Sequence, residues 1–399
     1  MQHSIDRIRV SHAGNLPRPP EAERLLTERN IEAYTRVLPE ATDWIVDRQI
    51  ELGVDCVNDG EYVKGGSFGG YIEERVSGFE RKPVDPSHPP LRAGVGARDR
   101  RDFPGTYASG LWWSGSGGPI RPGFARAGEI RMGGGAETDL VRYCTGPVKY
   151  TAHDIIKQDA ARLNDSIKGK DVEGFLAALG PIGLGGGSTN AYYTSNEEYM
   201  TAVADAVREE YKAITDAGLI LQIDEPNFLT AWMFYPDYSV QEYRKLLEGY
   251  VEVINYALEG IPMEQVRFHS CWGSGHRPHV HDIELKYIAD ILVKINAKSF
   301  SIESANVRHQ HEWQVWRDVK FPDGRIYMPG VISHATDLVE HPRVVADRIV
   351  NFASVLGKEN VQTGTDCGIG SRVGHEEIVW AKLETMSEGA RLASQMLWG

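Results

Sequence analysis

The sequence predicts a (β/α)8 barrel, and three observations carry that prediction. Short apolar runs of strand length alternate with amphipathic stretches of helix length along most of the chain. The strand-like runs of the main series number eight, ending near Ala13, Asn58, Gly180, Asp224, Cys271, Glu303, His334 and Cys367. Polar residues suited to chemistry sit almost entirely at these C-terminal strand ends, the face on which such barrels carry their sites. A chain of 399 residues accommodates one barrel with insertions. The expected organisation is a single barrel domain over residues 1–399, with residues 81–150 forming an insertion or lid within it.

In chain order, Arg7 to Val10 reads as the first strand, and Gly14, Pro17 and Pro19 then break regular structure. A helical pattern runs from about Pro20 to Gly53. Val54 to Asn58 is the second strand, followed by the carboxylates Asp59 and Glu61. The glycine-rich stretch from Gly65 to Gly70 is expected to be mobile. From about Arg81 to Ala136, Pro, Gly, Arg and Trp dominate and periodicity is weak, which suits a functional lid or a partly disordered insertion. Within it, Leu111-Trp112-Trp113 reads either as an aromatic wall for a ligand or as an anchor to the body. Leu140 to Tyr150 is a strand belonging to the same excursion, and His153 to Lys168 an amphipathic helix.

Gly174 to Leu179 is the third strand of the series. The glycine run that follows, Gly180 to Gly187, lacks the Lys-Ser/Thr of a P-loop and the spacing of a dinucleotide fingerprint. A helix spans Ser195 to Gly218, with Glu197 and Glu198 favouring its positive N-terminus and Gly218 stopping it. The strand Leu219 to Ile223 runs into Asp224-Glu225-Pro226. Helices at Val240 to Glu259, Ile283 to Asn296, near His311 to Val319, Pro342 to Leu356 and Glu376 to Met396 separate or follow the remaining strands. Those strands end at Cys271, Glu303, Ile332 and Thr365.

Bulk properties exclude several function classes. The net charge of -13, from 43 basic and 56 acidic residues, disfavours nucleic acid and anionic membranes as partners. No run of 18 or more apolar residues occurs, and the N-terminus lacks a signal-peptide apolar region, so a cytoplasmic location is expected. Four cysteines in a chain this long make no disulfide scaffold, and reduced thiols are expected.

The residues themselves point to a metal. A strand period of two puts His269 and Cys271 on one face. Glu303 and Cys367 lie at the ends of two other strands. Either cysteine alone reads better as a small buried apolar residue, and His269 alone as a core histidine, but two sulfurs, one nitrogen and one oxygen gathered at three strand ends suit zinc. Zinc with thiolate and imidazole ligands can bind an external thiol and strip its proton, and Glu303 is the weakest ligand of such a soft set. His334 reads as a general acid, a ligand-orienting group or a bonded loop histidine. Asp224 and Glu61 either pair with a substrate ammonium or tie loops together. Gly368 to Arg372 can hold an anionic group through backbone N–H groups and Arg372. His276, His279 and His281 read as a polar loop rather than a second metal site, because Pro278 interrupts any helix that would align them.

Taken together, His269-Ser270-Cys271, Ser301-Ile302-Glu303, Asp366-Cys367-Gly368 and Gln222 to Pro226 resemble the catalytic C-terminal barrel of the cobalamin-independent methionine synthase family, from about Arg9 to the C-terminus with interruptions. The resemblance implies zinc held by His269, Cys271, Glu303 and Cys367. It implies that Asp224 and Glu61 contact the amino group of homocysteine, and that His334 assists methyl transfer. His12, Asn15 and Arg372 join Glu61 and Asp224 as the implied substrate-binding set. Two departures concern the ligands. The family's Gly-Ser of the first loop is Gly14-Asn15 here, and the tryptophan it places against folate is replaced by Gly185-Gly186-Gly187-Ser188.

The chain also looks like single-barrel relatives that include epoxyalkane:coenzyme M transferase, in which a zinc-bound thiolate opens an epoxide. The implied function is thus a zinc-dependent thiol S-alkyltransferase acting on a small thiol and a methyl or alkyl donor. The alternatives are epoxide opening, a metal-free lyase or decarboxylase of the uroporphyrinogen decarboxylase type, and a binding protein with structural zinc. No nucleic-acid or membrane partner is expected, and a homo-oligomer stays open.

Overall fold

The computed structural model describes residues 1–64, 70–88, 96–108, 140–273, 277–370 and 372–399. The Gly65–Gly69 stretch, Leu111-Trp112-Trp113 and His276 lie outside these residues. The strands are β1 (Cys56–Val57), β2 (Val76–Pro83), β3 (Leu140–Tyr150), β4 (Glu173–Leu179), β5 (Thr189–Asn190), β6 (Ile220–Asp224), β7 (Val266–Ser270), β8 (Ser299–Ile302), β9 (Ile326–Ile332) and β10 (Gly364–Thr365). The α-helices are α1 (Pro20–Thr27), α2 (Ile31–Glu51), α3 (Tyr71–Arg75), α4 (Ala97–Asp102), α5 (Pro104–Ala108), α6 (His153–Ile167), α7 (Pro181–Gly185), α8 (Asn196–Asp216), α9 (Asn227–Thr230), α10 (Val240–Ala257), α11 (Ala289–Leu292), α12 (Pro342–Leu356) and α13 (Glu376–Trp398).

Seven strands form a curled parallel sheet in the order β1-β4-β6-β7-β8-β9-β10. Every residue of β6 through β9 is buried. That continuous burial is what a parallel sheet covered on both faces requires. The predicted first strand, Arg7 to Val10, is reduced to an isolated bridge between Val10 and Thr363. The Val10 carbonyl also accepts from the amides of Asp55 at 2.8 Å and Cys56 at 3.2 Å. Val10 therefore touches both ends of the seven-stranded sheet.

Other expectations need correction. The helix expected from Pro20 to Gly53 is two helices, broken where Arg29 takes a φ of 57° and Asn30 caps α2 by accepting from the amide of Ala33. The helix expected over Ile283 to Asn296 is a 3-10 turn, Leu285–Tyr287, followed by the short α11. Its buried residues Leu285, Ile288 and Ile291 recur every three positions, a spacing that suits 3-10 winding. The segment near His311 to Val319 is likewise a 3-10 helix, Glu312–Arg317. The excursion holds more regular structure than its composition suggested. β2 pairs antiparallel with β3, and β3 parallel with β5, in a separate three-stranded sheet.

The part of the excursion carrying α4 docks on the loops after β6 and β7. Arg98 donates to the carbonyls of Trp232, Tyr235 and Tyr238, with its guanidinium over the Trp232 ring. Buried Asp99 accepts from the amides of His279 and His281. Among the described residues, no helix is long and apolar enough to cross a membrane.

Candidate metal and thiol site

The C-terminal ends of β6, β7, β8 and β10 bring the predicted residues together. One donor atom each from His269, Cys271 and Cys367 lie within 4.8 Å of one another. The two sulfurs are 3.9 Å apart. Thiolates at about 2.3 Å from a tetrahedral zinc stand about 3.8 Å apart, so the pair is spaced for one metal. The His269 ring is oriented from behind, since Nδ1 faces the Ser301 carbonyl at 3.1 Å and its hydroxyl at 3.0 Å. That leaves Nε2 buried and turned toward Cys367, with no nitrogen or oxygen partner among the described residues, as suits a metal ligand. Register explains the contact, because His269 and Ser301 are cross-strand partners in β7 and β8.

The site is strongly polarised. The Cys271 thiol donates to Cys367, which drives the Cys367 pKa well below that of an ordinary thiol and the Cys271 pKa well above it. Burial works against a charged His269, but Cys367 and Asp224 outweigh it and push the imidazole up to about 9. A metal entering here displaces protons from these groups.

Glu303 falls in a second, neighbouring cluster, close enough to Cys271 for its charge to help raise that thiol's pKa. Its carboxylate groups with His334 and Asp366, within 4.8 Å. Its Oε2 accepts from the amide of Trp272 at 2.7 Å and its Oε1 from Asn306 at 3.1 Å. Burial, then the charge of Asp366, raise its pKa to about 8. Asp366 Oδ1 accepts from the amides of Ser304 and Ala305, tying the loop after β8 to the loop after β10. His334 is fully buried, with neither ring nitrogen hydrogen-bonded among the described residues, and burial holds it neutral with a pKa of about 4.

Asp224 is the cross-strand partner of His269, and its Oδ1 accepts from Gln222 Nε2 at 2.7 Å. Burial raises its pKa to about 6. Glu61 has a φ of 59°, a conformation that non-glycine residues seldom take and that clusters at functional sites. Its carboxylate lies 3.4 Å from Lys64 Nζ, and burial raises its pKa to about 7. A Cβ on Gly14 would lie 2.9 Å from Glu61 Oε1, so a larger residue in the first loop would push this carboxylate aside. Asn15 sits on the loop that carries Cys367, its carbonyl accepting from the amide of Gly370 at 2.9 Å. Arg372 follows on that loop, close enough to His334 to disfavour its protonation.

His12 is committed to the scaffold. Its Nε2 pairs with Gln49 Oε1 at 2.7 Å, and its Nδ1 accepts from the amide of Gly14 at 3.3 Å. Burial depresses its pKa from 6.5 to about 4. The stability held by the neutral ring is fully present above pH 6.5 and is lost as pH falls through 4, because the unfolded chain takes up the proton first. We expect about 3 kcal/mol of pH-dependent destabilisation across this window. Urea unfolding of the wild type and of His12→Asn at pH 7 and pH 4.5 checks it, and equal pH slopes would rule it out.

The glycine run after β4 proves occupied. Its first amides, from Ile182 and Gly183, donate to the Glu225 carboxylate at 2.9 and 3.0 Å. His279 and His281 belong to a loop tie, paired with Asp282 and Asp102. Sequence reading quoted Ser301, Asp366 and Gln222 as motif members without giving them a role, and missed Lys64. Two of them carried a signal: Ser301 shares a strand face with Glu303 by the period of two, and Asp366 adjoins Cys367.

Replacing Ser301 by alanine removes one of the two acceptors that orient His269. We expect metal affinity to fall about tenfold, the lower end of the range for groups that orient a ligand. Competition with a chromophoric chelator measures this, and an unchanged affinity would count against His269 as a ligand.

A curled parallel sheet with thiols, an imidazole and carboxylates at its strand ends defines the class, an α/β protein of barrel-like build. The fold is shared with a B12-independent methionine synthase from Shewanella sp. W3-18-1, solved with selenomethionine. That match has a TM-score of 0.68 and 20% identity, and covers 98% of this chain and 99% of that one. Residues 145–392 match the family described as cobalamin-independent synthase, catalytic domain, and the chain belongs to that family. It is 25% identical over 225 residues to a methionine synthase of Saccharolobus solfataricus, covering 56% of this chain and 59% of the relative. It is 24% identical over 222 residues to one of Pyrococcus abyssi, covering 55% and 56%. The chain thus spans less than two thirds of the length of these curated relatives.

Proposed function

We propose that the protein is a zinc-dependent thiol S-alkyltransferase of the methionine synthase type, acting on a small amino-acid thiol such as homocysteine. The observation that carries this reading is the convergence of His269, Cys271 and Cys367, with the His269 ring anchored so that Nε2 faces inward. These three would hold the metal, with Glu303 as the fourth ligand, reached from its present bonds to Trp272 and Asn306. Bound there, zinc supplies a Lewis acid that lets a thiol lose its proton near neutral pH. Asp224 and Glu61 would receive the substrate ammonium, and their pKa values near 6 and 7 mean that an arriving cation holds both ionised. Asn15 and Arg372 would face the carboxylate. His334, kept neutral by burial, would offer a ring N–H to the leaving atom of the donor rather than a positive charge.

The fold we propose is a closed (β/α)8 barrel over residues 1–399. The bonds of Val10 to Thr363, Asp55 and Cys56 support an eighth, minimal strand. Residues 81–150 are proposed as an insertion covering the site, supported by Arg98 and Asp99 gripping the loops after β6 and β7. The alkyl donor is either a methyl carrier or an epoxide. The methyl carrier is the main reading; the epoxide is the second, supported by Gly185-Gly186-Gly187-Ser188, which offers no aromatic face for a pterin.

The test is metal analysis followed by a thiol-consumption screen of zinc-loaded protein. Homocysteine, coenzyme M and glutathione are each paired with methyl-folate and small epoxides. Stoichiometric zinc and consumption of one thiol are expected. Turnover by metal-free protein would revive the lyase reading, and bound zinc unresponsive to any thiol would favour a structural role.

A further inference from the structure

Arg267 is a fully buried cation in β7, two residues before His269. Its hydrogen-bond partners are all neutral. It donates through Nη1 to Ser11 Oγ at 3.2 Å, the His12 carbonyl at 3.5 Å and Gln222 Oε1 at 3.2 Å. It donates through Nη2 to Cys56 Sγ at 3.2 Å, and its guanidinium carbon lies 4.7 Å from the Phe175 ring centroid. Burying a guanidinium among neutral groups is costly, so the sequence gains something else from it.

The gain lies in Gln222, also fully buried. A primary amide has two nearly isosteric ends, and shape alone does not choose between them. A guanidinium has only donors, so it accepts Gln222 in a single orientation, with Oε1 toward Arg267. The Nε2 end then donates to the Ala13 carbonyl at 2.6 Å and to Asp224 Oδ1 at 2.7 Å. Ala13 and Asp224 offer only acceptors and so favour the same orientation; Arg267 supplies the donor that the buried Oε1 would otherwise lack, and so holds the amide in place.

We propose that Arg267 is a positioning residue for substrate amino-group recognition. It locks the Gln222 amide, and the locked amide fixes Asp224 Oδ1 and leaves Oδ2 for an ammonium. The inference rests on the reading that Asp224 binds the amino group of an amino-acid thiol. It adds a specificity determinant that makes no contact with the ligand.

The test uses the full chain loaded with cobalt(II), whose thiolate charge-transfer absorption reports thiol binding. Homocysteine and 4-mercaptobutyrate, which lacks the amino group, are titrated separately. The wild type is expected to prefer homocysteine by about tenfold or more, the equivalent of one charge-assisted hydrogen bond. Arg267→Met should lose most of that preference by weakening homocysteine alone, with 4-mercaptobutyrate affinity unchanged. Arg267→Lys, which keeps a donor toward Gln222, should retain it. Should Arg267→Met fail to fold, Arg267→Gln keeps a polar side chain but can offer Gln222 either end of an amide, and should lose the preference too. Full preference in Arg267→Met or Arg267→Gln overturns the proposal. Equal affinities in the wild type overturn the assignment of Asp224, and this inference with it.

Discussion

Replacing Cys367 by serine is expected to remove the metal and the turnover together. Cys367 is the thiol driven toward thiolate, sharing a proton with Cys271 at 3.9 Å and facing His269. A serine hydroxyl has similar shape but stays protonated at neutral pH, so one of the two soft anionic ligands proposed for the metal would disappear. Loss of a direct ligand should exceed the roughly 10–100-fold affinity loss that follows from disturbing a group behind a ligand. Turnover should fall by about 1000-fold, the rate equivalent of the several kcal/mol that a Lewis acid contributes. Metal content after dialysis against a chelator, measured beside thiol consumption, tests both effects. A Cys367→Ser protein that keeps stoichiometric zinc and full turnover defeats the mechanism. Loss of turnover with zinc retained would assign Cys367 to the reaction rather than to the metal.

The second large effect concerns stability. Arg75, at the end of α3, is buried between α6 and α8, donating to Asp159 at 2.7 Å and Glu210 at 2.8 Å. It anchors the start of the excursion to the two helices that flank β4. Arg75→Met leaves both carboxylates buried with reduced compensation, from Arg162 to Asp159 and from Tyr71 to Glu210. Breaking a buried pair from one side costs about 3–5 kcal/mol. Burial already raises the Glu210 pKa, and loss of the guanidinium raises it further. A carboxyl with a raised folded-state pKa contributes most when protonated, and that contribution is lost as pH rises through the folded value. The deficit of Arg75→Met should therefore shrink as pH is lowered toward 5. Urea unfolding at pH 5 and pH 8 measures this. A deficit below about 1 kcal/mol at pH 8 would mean that the carboxylates are solvated after all.

The legible parts of the molecule were those governed by local periodicity. β9 and α12 match their expected bounds because a continuous apolar run or helical spacing lies between clear stops. Glu173–Leu179, Ile220–Asp224 and Val266–Ser270 fall within a residue or two of expectation for the same reason. Less legible were Val76–Pro83, where exposed residues alternate irregularly and pairing with Leu140–Tyr150 supplies the order, and Ile283–Asn296, where an apolar pattern fits two windings. Arg75 and Arg267 carried no signal, because nothing in a linear sequence announces that a charge is buried.

The sequence by itself determined the βα alternation and the placement of His269, Cys271, Glu303 and Cys367 at strand ends, since both follow from periods of two and of about 3.6 residues per turn. The tertiary structure alone decided which of these side chains share a space. It drew His269, Cys271 and Cys367 into one cluster, set Glu303 beside His334 and Asp366, turned His12 toward Gln49, and put Arg267 behind Gln222. Strand register and the curl of the sheet fix those distances, and both depend on contacts between residues far apart in the chain.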